Sequence, residues 1–149
     1  MISKILVATD GSKTAQKAAK YGVDLAKQLK ASAIVLSVVD QRSFKDQIVP
    51  ASQTAMHVIE PIEDYLREAA EEYAEEIKKL CDKNDVQSKT VITRGHPVEE
   101  IVKEAKKSKA DLIVIGSHGR SALASEVLGS IAYGVIHKDT KIPVLVVRK

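Results

Sequence analysis

The chain has 149 residues and 16.2 kDa, is 44% hydrophobic, 29% charged and 3% aromatic, and sets 23 Lys and Arg against 20 Asp and Glu for a net charge of +3. These proportions exclude wholesale disorder. So balanced a charge, with no basic stripe and no interleaved stacking groups, argues against a nucleic-acid partner, and a single cysteine, Cys81, excludes an intrachain disulfide framework.

Met1-Ile2-Ser3-Lys4 leads into the apolar run Ile5-Leu6-Val7-Ala8, a strand signal with no signal peptide before it. Thr9-Asp10-Gly11-Ser12 reads as a turn and helix cap. From Lys13 to about Leu29, Ala15, Ala18, Ala19, Gly22, Val23, Ala26 and Leu29 recur at helical spacing. Residues 33–39 read as a second buried strand. Residues 40–60 are irregular, a loop or a loop with a short helix. Pro61 then fits the first turn of a helix from about Ile62 to Lys83. Its apolar stripe is Tyr65, Leu66, Ala69, Tyr73, Ile77 and Leu80, and its acidic residues suit a solvated face. Cys81, near the end of that helix, reads as a half-buried structural thiol.

A third strand over about 89–93 precedes Arg94-Gly95-His96-Pro97, and a helix follows through Val98, Ile101, Val102 and Ala105. Asp111 to Ile115 is strand four, a helix runs over about 130–138, and 143–147 is the last strand. No apolar run approaches the 18 to 20 residues or so that a membrane helix needs, so the expectation is one soluble, cytoplasmic domain over 1–149 with no membrane partner. Strands alternating with helical crossovers, in a core left to Ile, Val, Leu and Ala, predict a three-layer α/β/α fold. Its centre is a Rossmann-like, five-stranded parallel sheet. Ligands of such sheets sit beyond the carboxyl ends of the strands, at a topological switch point.

After strand four stand Gly116-Ser117-His118-Gly119-Arg120, and Gly129-Ser130 open the last helix. Gly116 and Gly119 can take positive φ and admit a ligand close to the backbone, and a helix N-terminus offers unpaired N–H groups to an anion. These residues fit a di- or triphosphate cradle; turn chemistry alone would account for the glycines equally well. There is no Walker lysine, no Gly-x-Gly-x-x-Gly fingerprint and no nucleophile elbow. Nor do His57, His96, His137 and Cys81 have metal-ligand spacing.

The spacing Gly116-x2-Gly119-x9-Gly129-Ser130 resembles the G-2x-G-9x-G-(S/T) motif of the ATP-binding universal stress proteins. The likeness extends over nearly the whole chain, through Lys4 to Ser12, Gly95-x-Pro97 with Ile101 and Ala105, and the closing 143–147 strand. The resemblance implies an adenine nucleotide alpha hydrolase-like fold, ATP as ligand, and a homodimer. It implies that Ala8, Thr9 and Asp10 border the adenosine and that Val38 meets the adenine through its backbone. Gly116, Ser117, His118, Gly119 and Arg120 would surround ribose and phosphates, and Gly129, Ser130 and Ile131 would give N–H groups to the phosphates. Ala8 departs from the proline that some ATP-binding members carry there.

ATP brings nearly four negative charges against roughly half a unit charge at one helix terminus. Mg²⁺ or Mn²⁺ held mainly by the phosphates is therefore expected, with no metal ligand from the protein. No phosphoryl-transfer machinery is visible. The expected activity is a nucleotide-dependent switch or stress-response regulator, at most a slow or partner-dependent ATPase. The alternative is an interaction module of the same fold that binds no nucleotide and acts as a homodimeric scaffold. If strand 143–147 lies at the sheet edge, pairing with a second copy would cover it.

Overall fold

The computed structural model describes residues 1–40, 53–119, 128–138 and 140–149, with the backbone alone for 53–60. Its elements are β1 (Lys4–Thr9), α1 (Lys13–Leu29), β2 (Ser32–Asp40), α2 (Gln53–Lys83), β3 (Ser88–Gly95), α3 (Pro97–Lys107), β4 (Leu112–Gly116), α4 (Ser130–His137) and β5 (Val144–Val147). The strands form one parallel sheet in the order β3-β2-β1-β4-β5. The chain moves outward from β1 to β3 and then returns to lay β4 on the other side of β1. The switch point is thus between the carboxyl ends of β1 and β4.

Strand periodicity sorts the core into two layers. Ile5 and Val7 pack with Ala18, Val23 and Ala26 of α1 and with Ala74, Ile77 and Cys81 of α2. Leu6 and Ala8, one residue out of step, face Val98, Ile101 and Ala105 of α3 and Ala132 and Val135 of α4. Successive side chains of a strand point to opposite faces, so one short apolar run serves both layers. Cys81 is fully buried, not half-buried, and burial pushes its thiol pKa up.

The helix expected from Ile62 begins at Gln53 instead, with Pro61 inside it. Pro61 has no N–H for the carbonyl four residues back, yet it is exposed. Ile62, Leu66 and Ala70 beyond it pack on Val39 and Ile92 and hold the helix in place. The acidic residues 64, 68, 71, 72, 75 and 76 lie on the exposed face, as expected, while Glu63 is half-buried and pairs with Arg94.

Three helices end alike. After α1, α2 and α3 a residue in the left-handed region, Lys30, Asp85 or Lys109, lets the next amide close back on the helix. Those bonds are Ala31 N to Ala26 O at 2.8 Å, Val86 N to Cys81 O at 2.9 Å and Ala110 N to Ala105 O at 2.9 Å. Among the described residues no helix is long and apolar enough to cross a membrane.

Candidate functional site

The carboxyl end of β1 runs into a turn held by its own side chains. Gly11 N–H donates to Thr9 Oγ1 (3.1 Å), Ser12 N–H to Asp10 Oδ1 (2.9 Å), and Ala15 N–H to Ser12 Oγ (3.1 Å), which caps α1. Asp10 therefore shapes the turn while Ser12 is the cap. Gly11 has φ +79°, and a Cβ there would lie 2.4 Å from Cε1 of Tyr73, so α2 presses on this turn. Ser37 Oγ donates to Thr9 O (3.2 Å) and ties the ends of β1 and β2. The β1–β2 ladder stops at Thr9↔Ser37, whereas β2–β3 continues to Asp40↔Gly95. Among the described residues the β1-facing backbone edge of Val38 and Val39 thus has no strand partner.

Beyond β4, Ser117 N–H donates to Val147 O (2.8 Å), and Gly129 N–H donates to Ser117 O (2.6 Å). The side chain of Ser117 meets Nδ1 of His118 at 2.8 Å, and both residues are buried. The expectation of positive φ at Gly116 and Gly119 is not met: among the described glycines only Gly11 and Gly95 have it. Close approach constrains these glycines instead: a Cβ on Gly116 would sit 2.9 Å from Cγ2 of Thr14. A Cβ on Gly119 would sit 2.8 Å from Asp10 Oδ2, and one on Gly129 would sit 3.0 Å from Ser117 O.

These pieces enclose a cavity of about 300 Å³ at the switch point, at the lower end of ligand-site volumes. Ala8, Thr9 and Asp10 form one wall, Leu36 to Asp40 a second, and Gly116, His118 and Gly119 a third. The α3 side supplies Pro97 and Ile101, and α4 supplies Ile131 and Ala132. The cavity lining is apolar at Leu36, Val38, Val39, Pro97 and Ile101 and polar at Asp10, Ser37, Asp40 and His118. At the start of α4 the N-cap Gly129 provides no side-chain bond, so the first amides of the helix lack an intrahelical acceptor.

Of the twelve residues expected at the site, Ala8, Thr9, Asp10, Val38, Gly116, His118, Gly119 and Ile131 line this cavity. Ser117 and Gly129 stand behind the wall, and the Gly129 N–H expected to serve a phosphate is bonded to Ser117 O. Ser130 is exposed and borders a different cleft, between α3 and α4, beside His96 and His137. The physical reason is that the 117–129 bond draws the helix start onto strand four and turns its first residue outward. Arg120 lies outside the described residues. Sequence reasoning missed the α2 wall of Tyr65, Leu66, Ala69, Ala70 and Tyr73. The hydroxyls of two tyrosines inside an apolar stripe were the available signal. Among the described residues no group of three or more His, Cys, Asp or Glu could hold a metal ion.

A model of the universal stress protein family matches residues 1–148. Universal stress protein MJ0531 of Methanocaldococcus jannaschii is 38% identical over 149 residues, covering 100% of this chain and 84% of that one. The solved structure of hypothetical protein MJ0577 superposes with a TM-score of 0.83 at 35% identity, covering 100% and 97% of the two chains. Universal stress protein UspA from Lactobacillus plantarum gives 0.85 at 26% identity, covering 99% and 98%. Two more distant members, one solved with cAMP (TM-score 0.62, 24% identity) and one from Archaeoglobus fulgidus with dAMP (0.55, 16%), each covering 99% of this chain, share the fold.

Proposed function

This chain belongs to the universal stress protein family, and from that premise we propose that it binds ATP at the β1–β4 switch point and acts as a nucleotide-dependent, cytoplasmic stress-response switch. The observation that carries this reading is the cavity itself, lined by both apolar and polar side chains, in the place where open parallel sheets take ligands. The unpaired backbone edge at Val38 suits the donor–acceptor edge of an adenine. Ala8, Thr9 and Asp10 border the adenosine. Gly116, His118 and Gly119 border ribose and phosphates, with Ile131 and the amides at the start of α4 facing the phosphate tail.

Half a unit charge at that helix start leaves most of the phosphate charge unbalanced. Mg²⁺ or Mn²⁺ bound with the nucleotide would be held mainly by the phosphates and would supply charge neutralisation there. This chain's own residues bind and orient; with no Walker lysine and no assigned base, intrinsic hydrolysis is slow. A single-turnover rate near about 1 s⁻¹ would defeat the switch reading.

β5 is a sheet-edge strand, and its Val144, Leu145 and Val146 are half-buried. An apolar edge needs cover, which supports a homodimer formed through residues 143–147 and leaves room for a further protein partner. A second reading, a homodimeric scaffold that binds no nucleotide, draws on one observation: Gly129 and Ser130 of the glycine motif do not line the cavity.

Titration calorimetry with ATP and Mg²⁺ separates the two. Wild type is expected to bind. Gly129→Asp adds a carboxylate at the N-cap of α4 and a Cβ 3.0 Å from Ser117 O; it is expected to bind about a hundredfold more weakly. Absence of wild-type binding leaves the scaffold.

A further inference from the structure

We propose that the outer face of α1 and α2 is a self-association surface, on which α1 of one copy lies over α2 of a second copy and opposite charges meet along both helices. This surface requires neither nucleotide nor strand pairing at β5.

The two helices cover the same face of the sheet, run the same way and keep one register. Ala33 pairs with Ser88 across β2 and β3. The helices close by the same bond, Ala31 N to Ala26 O after α1 and Val86 N to Cys81 O after α2. Their buried rows repeat the match: Ala15, Ala19 and Ala26 in α1 correspond to Ala70, Ala74 and Cys81 in α2. Each residue of α1 thus stands level, and in the same helical phase, with the residue fifty-five further on. Charge inverts in that register. Lys13, Lys17 and Lys20 stand level with Glu68, Glu72 and Glu75. Where α1 turns acidic, at Asp24, α2 turns basic, at Lys79. At the ends of the helices Lys27 and Lys30 stand level with Asp82 and Asp85. Every charged residue of α1 takes part, and all of these residues are exposed.

The single chain leaves this complementarity unused. Among the described residues no charge of the α1 row has an ion-pair partner, and in the α2 row only Asp82 does, with Lys78 of its own helix at 4.0 Å. Like charges three and four residues apart also destabilise each helix. A second copy relieves both rows. A two-fold axis parallel to the helices keeps every residue at its own level and sets α1 over α2 of the other copy in two identical seams. An axis across the helices would set lysine row on lysine row instead. Helices of the length of α1, side by side, present a face of roughly 25 by 20 Å, which is below the about 800 Å² a side of a standard interface. Exposed ion pairs are individually weak and screened by salt, so the association is weak and salt-sensitive.

The test is sedimentation velocity of the full chain at up to about 0.5 mM, in about 20 mM and about 500 mM salt. The weight-average mass at low salt should approach twice that at high salt, whatever assembly β5 sets at both; a mass independent of salt overturns the proposal. Lys17→Glu/Lys20→Glu and, separately, Glu72→Lys/Glu75→Lys, each checked for folding by circular dichroism, turn both seams repulsive. Each should weaken the low-salt step at least about tenfold, and association like that of wild type in either overturns the proposal. Mixed in equal amounts, the two variants should associate at least as tightly as wild type, because every seam of the mixed pair joins opposite charges. Variants that stay apart in the mixture overturn it too, and assign the matched rows to electrostatics within one chain. Lys103→Glu/Lys107→Glu, on α3 of the opposite layer, changes net charge by as much as the first variant and should keep the low-salt step; an equal loss there would assign the effect to net charge and overturn the proposed face.

Discussion

At the amino ends of the strands the left-handed residues are Lys30, Asp85 and Lys109; at the carboxyl ends they are Gly11 and Gly95. Both ends need positive φ and meet it with different residues. Lys30, Asp85 and Lys109 are exposed, each at the close of a helix, and their side chains point into open solvent. A non-glycine residue there bears about 1–2 kcal/mol of backbone strain, which the buried residue that follows, Ala31, Val86 or Ala110, helps to offset. At the carboxyl end a side chain has no room. Tyr73 lies 2.4 Å from a Cβ on Gly11, and Glu100 lies 3.1 Å from one on Gly95. The amino end tolerates strain because nothing crowds it, and the carboxyl end is crowded because helices and strand exits converge on a cavity.

The sharpest way to break this contrast is Gly11→Ala. Left-handed strain and displacement of the Tyr73 ring should together cost about 3 kcal/mol in urea unfolding. A loss below about 1 kcal/mol would mean that α2 does not press on the turn. At the other end Lys109→Gly should stabilise by about 0.5 kcal/mol, since relieved strain exceeds the added chain entropy of glycine. Destabilisation would show that the lysine side chain contributes more than its backbone conformation loses.

The smallest effect concerns Asp111, which joins the amino ends of β4 and β1. The Ser3 N–H (2.9 Å), the Ser3 hydroxyl (3.0 Å) and the Lys4 N–H (3.0 Å) donate to its carboxylate and hold its pKa below the usual aspartate range. A depressed folded-state pKa stabilises the protein above the unfolded value, and that contribution is lost as pH falls through the folded one. Asp111→Asn should therefore be less stable than wild type at neutral pH, with the gap closing in acid. A gap that persists in strong acid would assign the effect to something other than ionisation.

Much of this was legible in local patterns. The helix expected from Lys13 to about Leu29 is α1, and the strands β1, β2, β4 and β5 lie within a residue or two of their expected ends, because apolar runs and helical spacing are local properties of the chain. Pro61 misled because its preference for a first turn is also local, while what holds α2 through it is packing on Val39 and Ile92. Tyr65 and Tyr73 were placed in a core stripe, and their spacing does place them on one helix face. That face overshoots the sheet at its carboxyl end, so the same stripe becomes a cavity wall. Gly129 was matched to a phosphate by its spacing, and the bond to Ser117 O, twelve residues away, reassigns its amide.

Alternating apolar and helical periods settled by themselves which segments are strands, which are helices, and that the strands run parallel, since a strand–helix–strand crossover leaves no other economical path. Folding decided the order β3-β2-β1-β4-β5, the point where the β1–β2 ladder stops short of Val38, and the bond of the Gly129 amide to Ser117 O. Such features depend on contacts between residues as far apart as Ser3 and Asp111, and distance along a chain carries no record of distance in space.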